Sequence, residues 1–162
     1  MHIRPATLAD IPSILDLERQ SATAGHWTED QYLQAFRQEG GGRLVLLTED
    51  FPPTASAEET RNRSETSISG FLVAQHLAPE WELENIVVAH SARRKGLGTR
   101  LLDALLAAAR ETHSTSVFLE VRESNAAARS LYEKAGFEQT GRRKSYYTNP
   151  PEDAILYRLT LG

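Results

Sequence analysis

A run of branched apolar residues, Leu83-Glu84-Asn85-Ile86-Val87-Val88, leads into the basic stretch Arg93-Arg94-Lys95-Gly96-Leu97-Gly98-Thr99-Arg100. Beyond it, Leu101, Leu102, Leu105, Leu106 and Ala109 recur at helical spacing. The first run reads as a buried strand and the last as an amphipathic helix. A strand therefore feeds a glycine loop that opens a helix. The first-turn amides of such a helix have no intrahelical acceptor, and the positive end of the dipole lies there. Glycine lets backbone come close to a ligand. The combination is an anion site, and a phosphate is its expected guest.

Spacing separates the phosphate-binding motifs that share these features. A Walker loop requires a Lys-Ser/Thr pair after its second glycine, where this chain has Thr99-Arg100. A dinucleotide fingerprint requires a third glycine, where this chain has Leu101, and Glu120, at the distance of its ribose-binding acid, falls inside the next strand. What remains is Arg-x-x-Gly-x-Gly after a strand. A second segment, Ser124-Asn125-Ala126-Ala127-Ala128-Arg129-Ser130-Leu131-Tyr132-Glu133-Lys134-Ala135-Gly136-Phe137, follows the apolar strand Val117 to Val121. Ser124 is the expected N-cap, the alanines favour helix, and Gly136 supplies a C-terminal stop before Phe137 begins another strand. The two patterns, in this order and at this separation, resemble the two signatures of the GNAT family of N-acetyltransferases. The family's frequent Asp-Pro after the first strand is replaced by Ala89-His90, positions that shape a turn rather than do chemistry.

Further segments are similar to the RimI branch of that family, which acetylates the N-terminal amine of a small-subunit ribosomal protein. They are Leu119-Glu120-Val121-Arg122, Arg142-Arg143-Lys144-Ser145-Tyr146-Tyr147, Glu152-Asp153-Ala154 and, near the start, His26-Trp27-Thr28-Glu29. The resemblance is dense from about Asn85 onward. It implies a mixed α/β fold whose central sheet has about six to seven strands, with about four helices. The sheet is expected to splay between the strands near Val87 and Phe118, opening a cleft for acetyl-CoA. Ile86, Val87 and Val88 would pair with the pantetheine arm, with an amide of Val87 or Val88 facing the thioester oxygen. Arg94, Lys95, Gly96, Leu97, Gly98 and Thr99 would hold the pyrophosphate, Arg93 would join them in binding the cofactor, and Asn125 would hydrogen-bond it. Tyr132 takes the general-acid position and Glu120 the general-base position, with Glu82 and Glu84 as rival bases on the preceding strand. Trp27, Arg143, Tyr146 and Tyr147 would grip the acceptor. A glutamate within an apolar strand must face solvent, a partner or a site, because burying it unpaired is costly.

The chain has 162 residues, 40% hydrophobic and 25% charged, which suits one domain with one core. It has no cysteine, so disulfides, thiolate metal sites and a cysteine nucleophile are excluded. The five histidines lack metal-ligand spacing, and no metal is expected. No apolar segment is long enough to span a bilayer and no signal-peptide core is present, so a cytoplasmic protein without a membrane partner is expected. A net charge of −4 argues against a nucleic-acid partner. A monomer or weak dimer is expected.

Ile3 to Pro5 reads as an opening strand. Thr7-x-x-Asp10 and Thr28-x-x-Gln31 read as capping boxes. The first opens a helix through Ile14, Leu15, Leu17 and Glu18 towards Ala24. The second opens a helix through Tyr32, Leu33 and Phe36 that stops at Gly40-Gly41-Gly42. Leu44 to Leu47 and Ile68 to His76 read as strands. Between them, Thr48 to Ser67, with Pro52-Pro53 and many Ser, Thr and Glu residues, reads as a long mobile loop inserted into the domain.

The acceptor class can be weighed chemically. An α-amine titrates near 8, so roughly a tenth is neutral at pH 7, whereas a lysine near 10.4 is neutral about once in a few thousand. A protein N-terminus is therefore the expected acceptor, a ribosomal protein among the candidates. A small-molecule amine, a lysine side chain, or acetyl-CoA binding without turnover are the alternatives.

Overall fold

The structure, a computed structural model, describes residues 2–21, 26–37, 42–49 and 68–162. One sheet runs through it, in the order β1-β2-β3-β4-β5-β7-β6. Its strands are β1 (His2–Pro5), β2 (Arg43–Glu49), β3 (Ile68–Leu77), β4 (Glu80–Val88), β5 (Ser116–Arg122), β6 (Glu138–Thr148) and β7 (Pro151–Thr160). Among the described residues there are four α-helices: α1 (Ile11–Arg19), α2 (Glu29–Arg37), α3 (Leu97–Glu111) and α4 (Ala126–Lys134). Neighbouring strands are antiparallel except β4 and β5, which α3 joins as a crossover. The seven-stranded mixed sheet and its four helices match the expected fold class.

Apolar periodicity decides which face each element covers. Leu101, Leu102, Leu105 and Ala109 of α3 pack with Tyr132 of α4 against Leu72, Ala74, Leu83, Val117, Leu119 and Ile155. On the other face, Ile11, Ile14 and Leu17 of α1 and Tyr32 of α2 pack against Val45, Leu47, Phe71, Val73 and Val87. Each fully buried leucine or isoleucine contributes about 1.5–3 kcal/mol of transfer free energy.

Local capping differs in detail from expectation. The Thr7 amide donates to Asp10 Oδ2 at 2.7 Å, but this box sits on the short 3-10 turn Leu8–Asp10 ahead of α1, where Pro12 occupies the first turn. The helix ends at Arg19, short of Ala24, which lies outside the described residues. The second box forms as expected: the Thr28 amide donates to Gln31 Oε1 at 2.7 Å and the Gln31 amide to Thr28 Oγ1 at 3.2 Å. The expected stop at Gly40-Gly41-Gly42 lies outside the described residues apart from Gly42.

The inserted loop does not begin at Thr48. Thr48 and Glu49 continue β2, paired with Gly70 and Ile68, and both are buried. Their polar side chains have partners inside the fold. Thr48 Oγ1 lies 2.7 Å from Ser69 Oγ, and Glu49 Oε1 accepts from Arg4 Nε at 2.8 Å. Arg4 also forks onto Asp10, with both contacts at 2.8 Å, so one guanidinium ties β1, β2 and the start of α1 together. The remainder of the loop, 50–67, lies outside the described residues.

Two irregularities place the site. In β4, Val73 pairs with Asn85 while Ala74 pairs with Leu83, so Glu84 is an extra residue, a β-bulge. It reverses the side-chain alternation: Trp81 and Leu83 face α3, whereas Val87 faces α1 and α2. The second irregularity begins at the same point. β4 and β5 pair from Glu80↔Ser116 only as far as Leu83↔Leu119. The sheet therefore does splay, but the gap opens one residue beyond Leu83 and Leu119, and Phe118, paired with Glu82, is still inside the zipped part.

Candidate active site

The loop between β4 and α3 forms one wall of a groove of about 1010 Å³, whose lining includes Ile86, Val87, Val88, Arg93, Arg94, Gly96, Leu97, Gly98, Thr99 and Asn125. Of the residues expected to hold the cofactor, Lys95 is the one outside that lining; it is exposed. The first α3 amide to find a helical acceptor is that of Arg100, which donates to Gly96 O at 3.1 Å. The amides of Leu97, Gly98 and Thr99 are left directed out of the helix start, as an anion site requires.

The two glycines serve different ends. Gly96 caps α3 in the left-handed region, at φ +77°, and a Cβ there would meet no heavy atom within 4 Å. A Cβ on Gly98 would lie 3.1 Å from Leu131 Cδ2, so Gly98 lets α3 and α4 approach each other.

In the gap, strand alternation sorts the backbone donors. The Ala89 amide donates to Ser69 O at 2.8 Å, towards β3. The antiparallel pattern then turns Val87 the same way, and the amides of Ile86 and Val88 towards the unpaired edge of β4. Across the gap, Asn125 rather than Ser124 is the N-cap of α4. Its Oδ1 accepts from the Ala128 amide at 3.2 Å, while the Ser124 amide donates to Glu152 Oε1 at 2.6 Å.

A second cavity of about 400 Å³ lies at the split, reached by His26 and Trp27 from one face and by Tyr132 from the other, and shares Ile86, Asn125 and Ala128 with the groove. It gathers Trp27, Glu82, Glu84, Glu120, Tyr132, Tyr146 and Tyr147. Val117, Leu119 and Val121 of β5 face α3, so alternation sends Glu120 to the opposite face, into this cavity. Arg143 stands at its edge, with Nε 2.9 Å from Glu120 Oε1. The neighbouring Glu120 carboxylate raises the Tyr146 hydroxyl above its ordinary value.

The three glutamates differ in setting. Glu84 is held by the Arg43 guanidinium, with Nε to Oε2 at 2.8 Å and Nη2 to Oε1 at 3.0 Å. Glu82 is raised from its ordinary value, first by burial and then by the charges of Glu84 and Glu120. Tyr132 is 5% exposed, and burial pushes its hydroxyl well above the ordinary tyrosine value. Tyr147 is pushed up to about 12, chiefly by burial and next by Glu120. The Arg122 guanidinium lies 4.2 Å over the Tyr147 ring, and Arg122 pairs with Glu152 at 3.4 Å, which fixes that tyrosine at the mouth of the β6–β7 hairpin.

Sequence reasoning passed over several residues that build this wall. Arg43 lies 5.3 Å over the Trp27 ring while holding Glu84. Glu18 and Asn85 form a buried hydrogen bond beneath it. The one signal for Glu18 was a carboxylate following Ile11, Ile14 and Leu17 on the apolar stripe of α1.

Residues 12–137 match the model of the acetyltransferase (GNAT) family, and the chain belongs to that family. Members use acetyl-CoA as donor, so this is an N-acetyltransferase of the GNAT class. Among its relatives, the [ribosomal protein bS18]-alanine N-acetyltransferase of Escherichia coli (strain K12) is 32% identical over 155 residues, covering 94% of this chain and 93% of that protein. The protein of the same name from Salmonella typhimurium is 33% identical over 156 residues, covering 94% and 93%. The crystal structure of the Escherichia coli ribosomal-protein-S18-alanine N-acetyltransferase superimposes with a TM-score of 0.77 at 28% identity, covering 99% of this chain and 94% of that one.

Proposed function

We propose that this chain transfers the acetyl group of acetyl-CoA to the N-terminal amine of a protein, a ribosomal protein being the acceptor class that its relatives' names point to. The observation that carries the reading is the meeting of two cavities at the β4–β5 split. One is lined by helix-start amides and a basic loop, the other by carboxylates and tyrosines. The first suits a pyrophosphate and an extended pantetheine arm. The second admits an amine.

The donor supplies a thioester carbonyl. The Val88 amide, directed into the gap, is a donor suited to the oxygen of that carbonyl as negative charge develops on it. Glu120 takes a proton from the attacking amine as the nitrogen–carbon bond forms. Tyr132 gives its proton to the sulfur as the carbon–sulfur bond breaks, so CoA leaves as the thiol. Even an ordinary tyrosine, near 10, is a weaker acid than a thiol near 8.5, and burial weakens Tyr132 further, so this transfer runs with bond cleavage rather than ahead of it. Trp27, Tyr146, Tyr147 and Arg143 surround the acceptor end.

A second base has support of its own: the raised carboxyl of Glu82 would accept a proton more readily at neutral pH. Rates of Glu120→Gln and Glu82→Gln decide between them. The base variant loses most, and its deficit narrows at low pH, where the parent's own carboxylate becomes protonated. The acceptor class is tested with a six-residue peptide bearing a free N-terminus, the same peptide N-terminally blocked and carrying lysine, and the free first amino acid. The free-N-terminal peptide is expected to win. Equal rates on all three, or preference for the free amino acid, would remove the N-terminal reading.

A further inference from the structure

α1 buries a carboxylate where its periodicity calls for an apolar side chain. Glu18 follows Ile11, Ile14 and Leu17 on the core face and is 2% exposed. Its Oε1 accepts three hydrogen bonds from three separate parts of the chain. Asn85 Nδ2 donates at 2.9 Å from β4, next to the Glu84 bulge. The Tyr32 hydroxyl donates at 3.0 Å from α2. The Trp27 amide donates at 3.0 Å from the segment that enters α2. Burial and the nearby Glu18 charge raise the Tyr32 hydroxyl, so it remains a donor.

A carboxylate is an expensive way to fill a core position, because hydrogen bonds only offset the cost of removing it from water. An apolar side chain would pack there at lower cost. What an apolar side chain cannot do is hold three donors at one point. Trp27 and Asn85 line the acceptor cavity, and Tyr32 is buried behind Trp27. Trp27 packs on Tyr32 with the rings tilted and centroids 5.2 Å apart, and carries the Arg43 guanidinium 5.3 Å over its ring. Arg43 in turn holds Glu84. The third donor, Asn85, anchors the set to the strand that runs along the cofactor groove. His26, just before Trp27, turns through the left-handed region at φ +50°, which is uncommon for a residue other than glycine.

We infer that Glu18 is a positioning residue for acceptor recognition: its Oε1 sets the Trp27 wall against β4 at the bulge, and thereby the width of the cavity an N-terminal peptide enters. The inference rests on the acceptor cavity assigned above. It assigns Glu18 no proton transfer and no contact with either substrate.

The test uses the full chain with Glu18→Ala, Glu18→Gln and Tyr32→Phe. Steady-state kinetics with the six-residue peptide are read beside acetyl-CoA calorimetry. Acrylamide quenching of Trp27 is measured in a Trp81→Phe background, which leaves Trp27 as the reporter because the chain has two tryptophans. Glu18→Ala is expected to raise the peptide KM about tenfold, the loss of roughly one charge-assisted hydrogen bond. Its kcat is expected to stay within about threefold, its acetyl-CoA Kd within about twofold, and Trp27 quenching is expected to rise. Glu18→Gln keeps an oxygen acceptor and should return KM to within about threefold of the parent.

A folded Glu18→Ala protein with unchanged KM and quenching overturns the inference. So does a Glu18→Gln protein as impaired as Glu18→Ala, or a loss that falls equally on kcat and acetyl-CoA affinity. Should Glu18→Ala fail to fold, Tyr32→Phe decides, since it removes one donor and no ring; raised KM with raised quenching supports the inference, and neither overturns it. If the parent protein acetylates no peptide, the acceptor reading has failed, and quenching alone still judges whether Glu18 places Trp27.

Discussion

Tyr132→Phe separates chemistry from packing in the acceptor cavity. The Tyr132 ring is 5% exposed and packs with Phe137 and Tyr157 at centroid distances of 5.9 and 6.1 Å. Phenylalanine keeps that ring and those contacts, so the change in stability should stay within about 1 kcal/mol, the net value of an ordinary hydrogen bond. The groove wall for acetyl-CoA is made by other residues, and its affinity should be unchanged. A general acid contributes about 10²–10⁴-fold, which at 1.36 kcal/mol per decade is about 2.7–5.4 kcal/mol of barrier. Turnover should therefore fall at least about a hundredfold. Burial raises the hydroxyl above its ordinary value, so it is protonated throughout roughly pH 6–9, and the deficit should be constant across that range. Thiol release measured with a chromogenic disulfide follows the step directly, with thermal unfolding and acetyl-CoA calorimetry as controls. A fall in kcat of less than about threefold in a folded, acetyl-CoA-binding variant would refute the acid role.

Gly96→Ala places a Cβ at φ +77° with no heavy atom within 4 Å, so its cost is the left-handed strain of about 1–2 kcal/mol rather than a clash. The loop should relax away from its amide-presenting shape and weaken acetyl-CoA by about tenfold in calorimetry; an unchanged Kd would place the pyrophosphate elsewhere. Arg4→Met strands the buried carboxylates of Asp10 and Glu49 and should destabilise the fold by about 3 kcal/mol at pH 7 in urea melts. The Arg4 guanidinium holds Asp10 below its usual value, so this contribution is present above the unfolded pKa near 3.9 and is lost as pH falls through the folded one. The gap between variant and parent should narrow below about pH 4, and a gap that stays constant to pH 3 would show that Arg4 acts otherwise.

The sequence made the cofactor side of the site readable because that side is built from contiguous backbone. A strand, a glycine loop and a helix start lie in one stretch from Leu83 to Ala109, and amides need no side chain to identify them. The helix boundary at Asn125 was misassigned by one residue because Ser124 and Asn125 are both good caps. The deciding contact is long-range: Glu152 captures the Ser124 amide at 2.6 Å, leaving Asn125 to cap. The extent of β2 was hidden for a similar reason. Thr48 and Glu49 look like loop residues until Ser69 and Arg4 are brought beside them. The acceptor wall was the least legible part. Trp27, Arg43 and Glu84 come from separate elements, and Glu18 and Asn85 read in sequence as minor exceptions within apolar patterns.

The Glu84 bulge shows why pattern alone could not locate the gap. Residues 81, 83, 85 and 87 alternate as a regular half-buried strand, and all four are buried. Yet the first two face α3, Val87 faces α1 and α2, and Asn85 reaches Glu18 of α1. Binary alternation records burial but not which face provides it, and a sheet covered on both faces hides a one-residue insertion. The insertion coincides with the end of β4–β5 pairing after Leu83↔Leu119. A bulge increases local twist and disturbs the ladder, so the strand that gains a residue diverges from its parallel neighbour. Past that point β4 keeps β3 and presents the Ile86 and Val88 amides to the gap, while β5 keeps β7 and presents Glu120 to the cavity. One additional residue in one strand thus accounts for the unpaired backbone edge on the cofactor side and for the turn of Asn85 towards the acceptor wall.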